Sequence, residues 1–165
     1  MSDAPMIGGL HHLALRCRDT EETRAFYEDF LGLELAAALE LKASATGRAV
    51  AVLHSFFRLG DGSFLAFFEA PGSPFDFVPR HDFDLHVALE VEEPVLEAMA
   101  AKGRAAGIET RGISEHGIIR SVYFRDPNGY VVELAAKAPG HDAAMDPARN
   151  DARAILARWQ ATKGG

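Results

Sequence analysis

The sequence predicts an α+β fold built from two βαβββ units and followed by a C-terminal helix. Segments of strand-like and helix-like periodicity run in the order strand, helix, three strands, and that order occurs twice. The letters repeat as well. His12-Leu13-Ala14-Leu15 matches His86-Val87-Ala88-Leu89, an offset of 74 from 12 to 86. Gly62-Ser63-Phe64-Leu65-Ala66 matches Gly129-Tyr130-Val131-Val132-Glu133, an offset of 67 from 62 to 129, so the intervening strands or loops must absorb seven residues.

Leu10–Cys17 alternates as a short strand, with His11 expected to face away from His12. Asp19 stands three residues before Glu22, the spacing of a capping box, and Ala25, Phe26, Phe30 and Leu31 continue at helical spacing to a stop at Gly32. Apolar runs at Glu34–Leu41, Ala49–Leu59 and Ser63–Glu69 predict three strands, the last two joined through the turn dipeptide Asp61-Gly62. Ala70–Asp82 is rich in Pro, Gly and Asp and reads as a connecting loop. Leu85–Val91 is a strand again, and Pro94 opens a helix that ends near Gly107. Strands follow at Ile108–Gly112, Ile118–Arg125 and Gly129–Ala135, the last two joined by Asp126-Pro127-Asn128-Gly129. In the tail, Asp146 and Pro147 predict a helix start. Ala148, Ala152, Ile155, Leu156 and Trp159 then form an apolar stripe expected to pack against the body or a partner subunit. Residues 1–140 read as one domain with units of about 8–70 and 83–137, and 141–165 as its tail.

With 165 residues, 48% of them hydrophobic and 25% charged, the chain is long and apolar enough to bury a core. Its net charge of −7 and scattered Lys and Arg offer no basic stripe for a nucleic acid or an anionic membrane surface. No apolar run is long enough to span a bilayer, and Met1-Ser2-Asp3-Ala4-Pro5 does not read as a leader. Cys17 is the lone cysteine, which excludes an internal disulfide, and a cytoplasmic location is the expectation.

The duplication makes His12 and His86 equivalent residues on the first strand of each unit, with Glu133 on the last strand of the second. Either histidine alone reads as a hydrogen-bonded strand residue. Both together, with a carboxylate in register, read as a facial metal triad that leaves coordination positions open. The repeat mate of Glu133 is Ala66, which has no donor. Glu69, three residues farther on, alternates to the opposite face. Phe56, Phe57, Phe64, Phe67, Phe68, Phe75 and Phe77 could grip a flat ligand, although a core accounts for at least half of them.

The stretches His12–Leu15, Phe26-Tyr27 with Leu31-Gly32, His86–Leu89 and Asp126–Glu133, in that order, resemble the vicinal oxygen chelate superfamily over residues 8–137. That superfamily includes glyoxalase I, methylmalonyl-CoA epimerase, fosfomycin-resistance transferases, bleomycin-binding proteins and extradiol dioxygenases. The resemblance implies half-barrels of mixed sheet around a cupped metal site, with His12, His86 and Glu133 as ligands of a divalent ion. Fe(II) is favoured, with Mn, Ni or Zn as alternatives. It implies a small-molecule substrate with two adjacent oxygens and a homodimer in which one site draws ligands from both chains. Ala66 stands where glyoxalase I and the epimerases carry a fourth ligand.

The run from His116 through Tyr123 to Glu133 resembles the extradiol dioxygenase signature, in which residues matching His116 and Tyr123 flank the substrate. Ring-cleaving members also carry a His just before the strand matching Phe64–Phe68. This chain has Asp61-Gly62 there, leaving His54 and His81 as alternative imidazoles. The leading expectation is therefore an extradiol dioxygenase-like oxidoreductase. The alternatives are a glyoxalase-like lyase, an isomerase, a fosfomycin-type thiol transferase, or a non-enzymatic binding protein of the bleomycin-resistance kind.

Overall fold

The computed structural model describes residues 7–43 and 49–163. Met1–Pro5, read above for a leader, lies outside them. The described residues form two open four-stranded sheets, each with its helix, followed by a helical tail. None of the helices is long and apolar enough to cross a membrane.

The first unit runs to Leu85 and includes Arg125–Val131. It contains β1 (His12–Cys17), α1 (Thr20–Arg24), β2 (Leu35–Ala43), β3 (Ala49–Arg58) and β4 (Phe64–Glu69). Its sheet order is β1-β4-β3-β2, with β1 parallel to β4 and the other pairs antiparallel. The capping box is present: Asp19 accepts from the Glu22 amide at 2.8 Å. Glu69 adds a second acceptor at the same helix end, taking the Thr20 amide at 2.7 Å. Beyond Arg24 the single α-helix expected from sequence gives way to a π-helical segment, Ala25–Phe30, in which the Leu31 amide reaches back to the Phe26 carbonyl. The stop comes at Gly32, whose φ of 84° is the left-handed conformation that glycine adopts without steric cost.

Phe26, Tyr27 and Phe30 are buried, and the Tyr27 ring lies 4.7 Å from Phe67 and 5.7 Å from Phe57. The helical segment therefore covers the sheet face that carries Phe57 and Phe67. Alternation puts His12, Ala14 and Arg16 on the other face. Their register partners are Phe64, Ala66 and Phe68, with Phe56 opposite Ala66 and His54 opposite Phe68. The sequence expectation for the aromatics divides accordingly: Phe57 and Phe67 are core, while Phe56, Phe64 and Phe68 line the uncovered face.

The turn 126–130 completes this unit. The Asp126 carboxylate accepts from the Asn128 and Tyr130 amides, the Tyr27 hydroxyl and the Asn128 side-chain amide. Burial holds its pKa above the ordinary carboxylate range despite these bonds, and burial also drives the Tyr27 phenol well upward.

The second unit, His86–Phe124 with Val132 onward, contains β5 (His86–Glu90), α2 (Glu93–Ala105), β6 (Thr110–Glu115), β7 (Ile119–Arg125) and β8 (Val131–Lys137). Its sheet order, β5-β8-β7-β6, repeats that of the first. Leu96, Ala100 and Gly103 form the buried stripe of α2. Phe124 and Thr110 stand against Gly103, leaving no room for a side chain there. The hairpin arms absorb most of the seven-residue difference between the repeats. β2 and β3 have 9 and 10 residues where β6 and β7 have 6 and 7.

The tail departs from expectation. Asp146 does not start a helix; its side chain accepts from the Ala148 amide at 2.9 Å, closing an Asx turn that ends the short α3 (His141–Met145). The main tail helix, α4, runs Ala152–Thr162. Its apolar residues Ile155, Leu156 and Trp159 are 54–61% exposed, so the stripe is left largely open.

Gly129 is the residue on which the 126–130 turn is most sensitive. Its φ is +94°, and a Cβ there would meet the Val78 carbonyl oxygen at 2.8 Å. Gly129→Ala is expected to destabilise the protein by at least about 2 kcal/mol. Thermal denaturation followed by circular dichroism should show a Tm lowered by roughly 4–8 °C, and an unchanged Tm would refute the strain argument.

Candidate functional site

Glu133 lies on β8, on the sheet face away from α2, and is only 3% exposed; a buried carboxylate is costly unless hydroxyls, amides or cations satisfy it. Ser121 and Tyr123, two residues apart on β7, project to the same face. Ser121 Oγ donates to Glu133 Oε1 at 2.5 Å and Tyr123 Oη donates to the same oxygen at 3.3 Å. The other oxygen, Oε2, lies 3.3 Å from His86 Nε2. His86 opens β5, and its side chain is 42% exposed. Tyr123 Oη also sits 2.8 Å from Nε2 of the exposed His116, so imidazole, phenol and carboxylate form one connected chain.

In the first unit, His12 opens β1 and is exposed on the face away from the helix. Its ring centroid is 5.7 Å from Phe56 and 6.3 Å from His54. His11, expected to face away, sits beside it with the two Nδ1 atoms 2.8 Å apart. His11 precedes the strand, where alternation is not enforced. His54 is buried, with Nδ1 3.0 Å from the Phe67 carbonyl oxygen and its ring stacked 3.7 Å from Phe68. His81 lies in the loop after β4 and accepts from the Phe83 amide. Asp61, standing where a ring-cleaving relative carries histidine, is occupied by the Ser63 amide and hydroxyl, which hold its carboxyl below the usual range.

The structure thus brings together four expected residues, His86, Glu133, Tyr123 and His116. Sequence reasoning missed Ser121. Its signal was available: a small hydroxyl residue two before Tyr123, on a strand expected beside that of Glu133. Among the described residues no group of three or more His, Cys, Asp or Glu side chains could hold a metal ion. The His86–Glu133 pair itself fits two donors to one ion. Nitrogen and oxygen ligands each about 2.0–2.2 Å from a metal stand roughly 3.0–3.4 Å apart when the angle between them is roughly 90–110°, and the observed 3.3 Å lies in that interval.

Known proteins share this family and fold. Residues 9–134 match the family model described as the Glyoxalase/Bleomycin resistance protein/Dioxygenase superfamily. A glyoxalase/dioxygenase from Nostoc punctiforme is similar in structure, with 25% identity and a TM-score of 0.60 over 84% of this chain and 99% of that one. The genomically encoded fosfomycin resistance protein FosX from Listeria monocytogenes is similar at 22% identity and a TM-score of 0.60, over 82% of this chain and 98% of that one. A mutant of FosX, complexed with Mn(II) and 1S,2S-dihydroxypropylphosphonic acid, gives 22% identity and a TM-score of 0.62, covering 83% and 98%. At these identities the FosX likeness is one of fold. No curated protein sequence matches the chain.

Ser121 leaves Oε1 fully occupied and so directs Oε2 toward His86. Loss of such a partner typically weakens metal binding by about tenfold to a hundredfold. If His86 and Glu133 hold a metal, Ser121→Ala should raise the Mn(II) dissociation constant by that factor and, by leaving a buried carboxylate one donor short, lower the Tm by a few degrees. An affinity equal to wild type would show that the hydroxyl does not orient the acid.

Proposed function

The chain belongs to the Glyoxalase/Bleomycin resistance protein/Dioxygenase superfamily, and from that premise we propose that it is a metal-dependent enzyme acting on a small molecule with two adjacent oxygens. The observation that carries this reading is Glu133, with Oε1 held by two hydroxyls and Oε2 turned to an imidazole 3.3 Å away. His86 and Glu133 would hold the ion, with His12 of this or a second chain as the expected third ligand. Imidazole and carboxylate donors suit Fe(II), Mn(II), Ni(II) or Zn(II). When bound, the metal supplies Lewis-acid stabilisation of charge on the substrate oxygens and, as Fe(II), redox capacity toward dioxygen.

The protein's own groups then have separate tasks. Ser121 keeps Glu133 in one orientation. Tyr123 Oη donates to Glu133 Oε1 and can accept the His116 Nε2–H at the same time, a tautomer that satisfies both contacts. In the other tautomer, His116 Nε2 accepts from Tyr123 Oη; because His116 is exposed, a proton that a substrate hydroxyl gives to the phenol oxygen can then pass through the imidazole to solvent. Extradiol ring cleavage is the reaction in which such a pair beside the metal is most directly useful, since the substrate must ionise on binding. A fosfomycin-type thiol transfer would use the same two His and one Glu, whereas the glyoxalase-like lyase and isomerase readings lack their fourth ligand at Ala66.

His86→Ala and Glu133→Gln are expected to lower the metal content of the purified protein to background. If His12 comes from a second chain, co-expressed His12→Ala and His86→Ala chains should regain metal in mixed dimers, which neither variant holds alone. Retention of metal by His86→Ala would remove the triad.

The reaction is tested separately. Protein loaded anaerobically with each of the four metals is assayed for oxygen uptake on a catechol panel. Fe(II) should support turnover, and Tyr123→Phe should lower kcat by about 10²-fold. Absence of oxygen uptake with every metal sinks ring cleavage. Thiol-dependent turnover of an epoxide or a ketoaldehyde would identify the transferase or lyase instead.

A further inference from the structure

The first unit contains a pocket of about 460 Å³, whose lining includes none of the proposed metal ligands. Arg16 on β1, Phe68 on β4, and Phe75, Arg80 and Asp84 in the loop after β4 line it, together with Tyr130. Lone aromatic residues in a loop need no ligand to explain them. The charges here do ask for one.

Arg16 donates through Nη2 to the Ala70 and Ser73 carbonyls at 3.2 and 2.9 Å, which fixes the guanidinium plane and ties the loop to β1. Its Nε–H is buried with no acceptor. The guanidinium lies 5.1 Å from the Phe75 ring centroid, and no carboxylate among the described residues pairs with it. Among the described residues, the Arg80 guanidinium donates to the Asp76 carbonyl at 3.3 Å and to no carboxylate. The Tyr130 hydroxyl is taken by the Arg16 carbonyl at 2.9 Å, so this residue offers its ring rather than its oxygen. Two guanidiniums against one exposed carboxylate, Asp84, leave the pocket cationic in a chain whose net charge is −7. A guanidinium without a counter-ion in an apolar setting favours an anion, and its planar edge matches a carboxylate.

We propose that this pocket binds an aromatic carboxylate, its carboxylate on Arg16 and Arg80 and its ring against Phe68, Phe75 and Tyr130. A monoanion balances the surplus of one positive charge in the lining. The aromatic walls supply the contact area that a small ligand needs in a mostly apolar pocket. All the residues belong to the first unit, so the assignment does not depend on the metal site.

The test is a calorimetric titration of the purified chain with benzoate, neutral benzamide and phenyl phosphate, each with and without added Mn(II). Benzoate is expected to bind saturably without metal and more weakly as salt rises, and benzamide at least about tenfold more weakly. Arg16→Gln and Arg80→Gln should each weaken benzoate by at least about tenfold. Arg80 lies in a loop, so Arg80→Gln keeps the test decisive even if Arg16→Gln fails to fold. Four results overturn the proposal: no saturable benzoate binding, equal affinity for benzamide, wild-type affinity in Arg80→Gln, or binding only when Mn(II) is present. Tighter binding of phenyl phosphate would reject the carboxylate.

Discussion

The buried carboxylate of Glu133 is the constraint around which the second unit is arranged. Burying a carboxylate without partners costs several kcal/mol, and a strand residue can recruit partners only from neighbours in register. The pairing of β8 between β5 and β7 supplies them on both sides: Ser121 and Tyr123 from one strand, His86 from the other. A one-residue slip of β7 would turn both hydroxyls to the helix-covered face and leave the acid unsatisfied. Gly103 serves the same arrangement from behind, since Phe124, which alternates with Tyr123, needs the space that a side chain on α2 would fill.

A second buried acid shows by contrast what is particular about this one. Asp126 is closed: two backbone amides, a phenol and an amide side chain all point at it, and burial still raises its pKa. Its lone pairs are spent on the shape of a turn. Glu133 has one oxygen similarly spent, while the other faces an imidazole that is partly open to solvent. A carboxylate built only for stability would resemble the first. The half-committed state of Glu133 is what supports reading it as a ligand.

Most of the fold was legible because its signals are local or repeated. The Asp19 cap, the Gly32 stop, the Asp61-Gly62 turn and the doubled His-x-Ala-Leu strand each state their conformation within a few residues. Alternation turns Glu69 away from the face of Ala66, and the structure adds what the sequence does not show, that its carboxylate takes the amide of Thr20. What was not legible depends on register or on competition between equally local signals. Ser121 becomes a partner of Glu133 only once β7 and β8 are aligned. His11 escapes alternation because the strand begins one residue later. Asp146 has the letters of a helix cap, yet its side chain closes a turn instead, a choice that composition does not reveal. The π-helical segment at Ala25–Phe30 shares its apolar spacing with an α-helix, so periodicity could not tell them apart. The pocket depends on where a Pro- and Gly-rich loop lies, and such loops carry no periodicity.

The two units keep one topology and have divided its chemistry. On the uncovered face of the first, the residues are imidazole, guanidinium and phenyl: His12, His54, Arg16, Phe56, Phe64 and Phe68. On the corresponding face of the second stand a carboxylate, two hydroxyls and an imidazole: Glu133, Ser121, Tyr123 and His86. Ala66 occupies the place in the first unit that Glu133 fills in the second. That exchange has a physical consequence beyond the loss of one donor. An acid at 66 would face Phe56 and Ala14, with no hydroxyl among its register neighbours to satisfy it. Alanine at 66 needs no such partner, and among the described residues no carboxylate pairs with Arg16 on the same face. The two repeats thus keep one topology while their matching faces differ in charge, a guanidinium on the one and a carboxylate on the other.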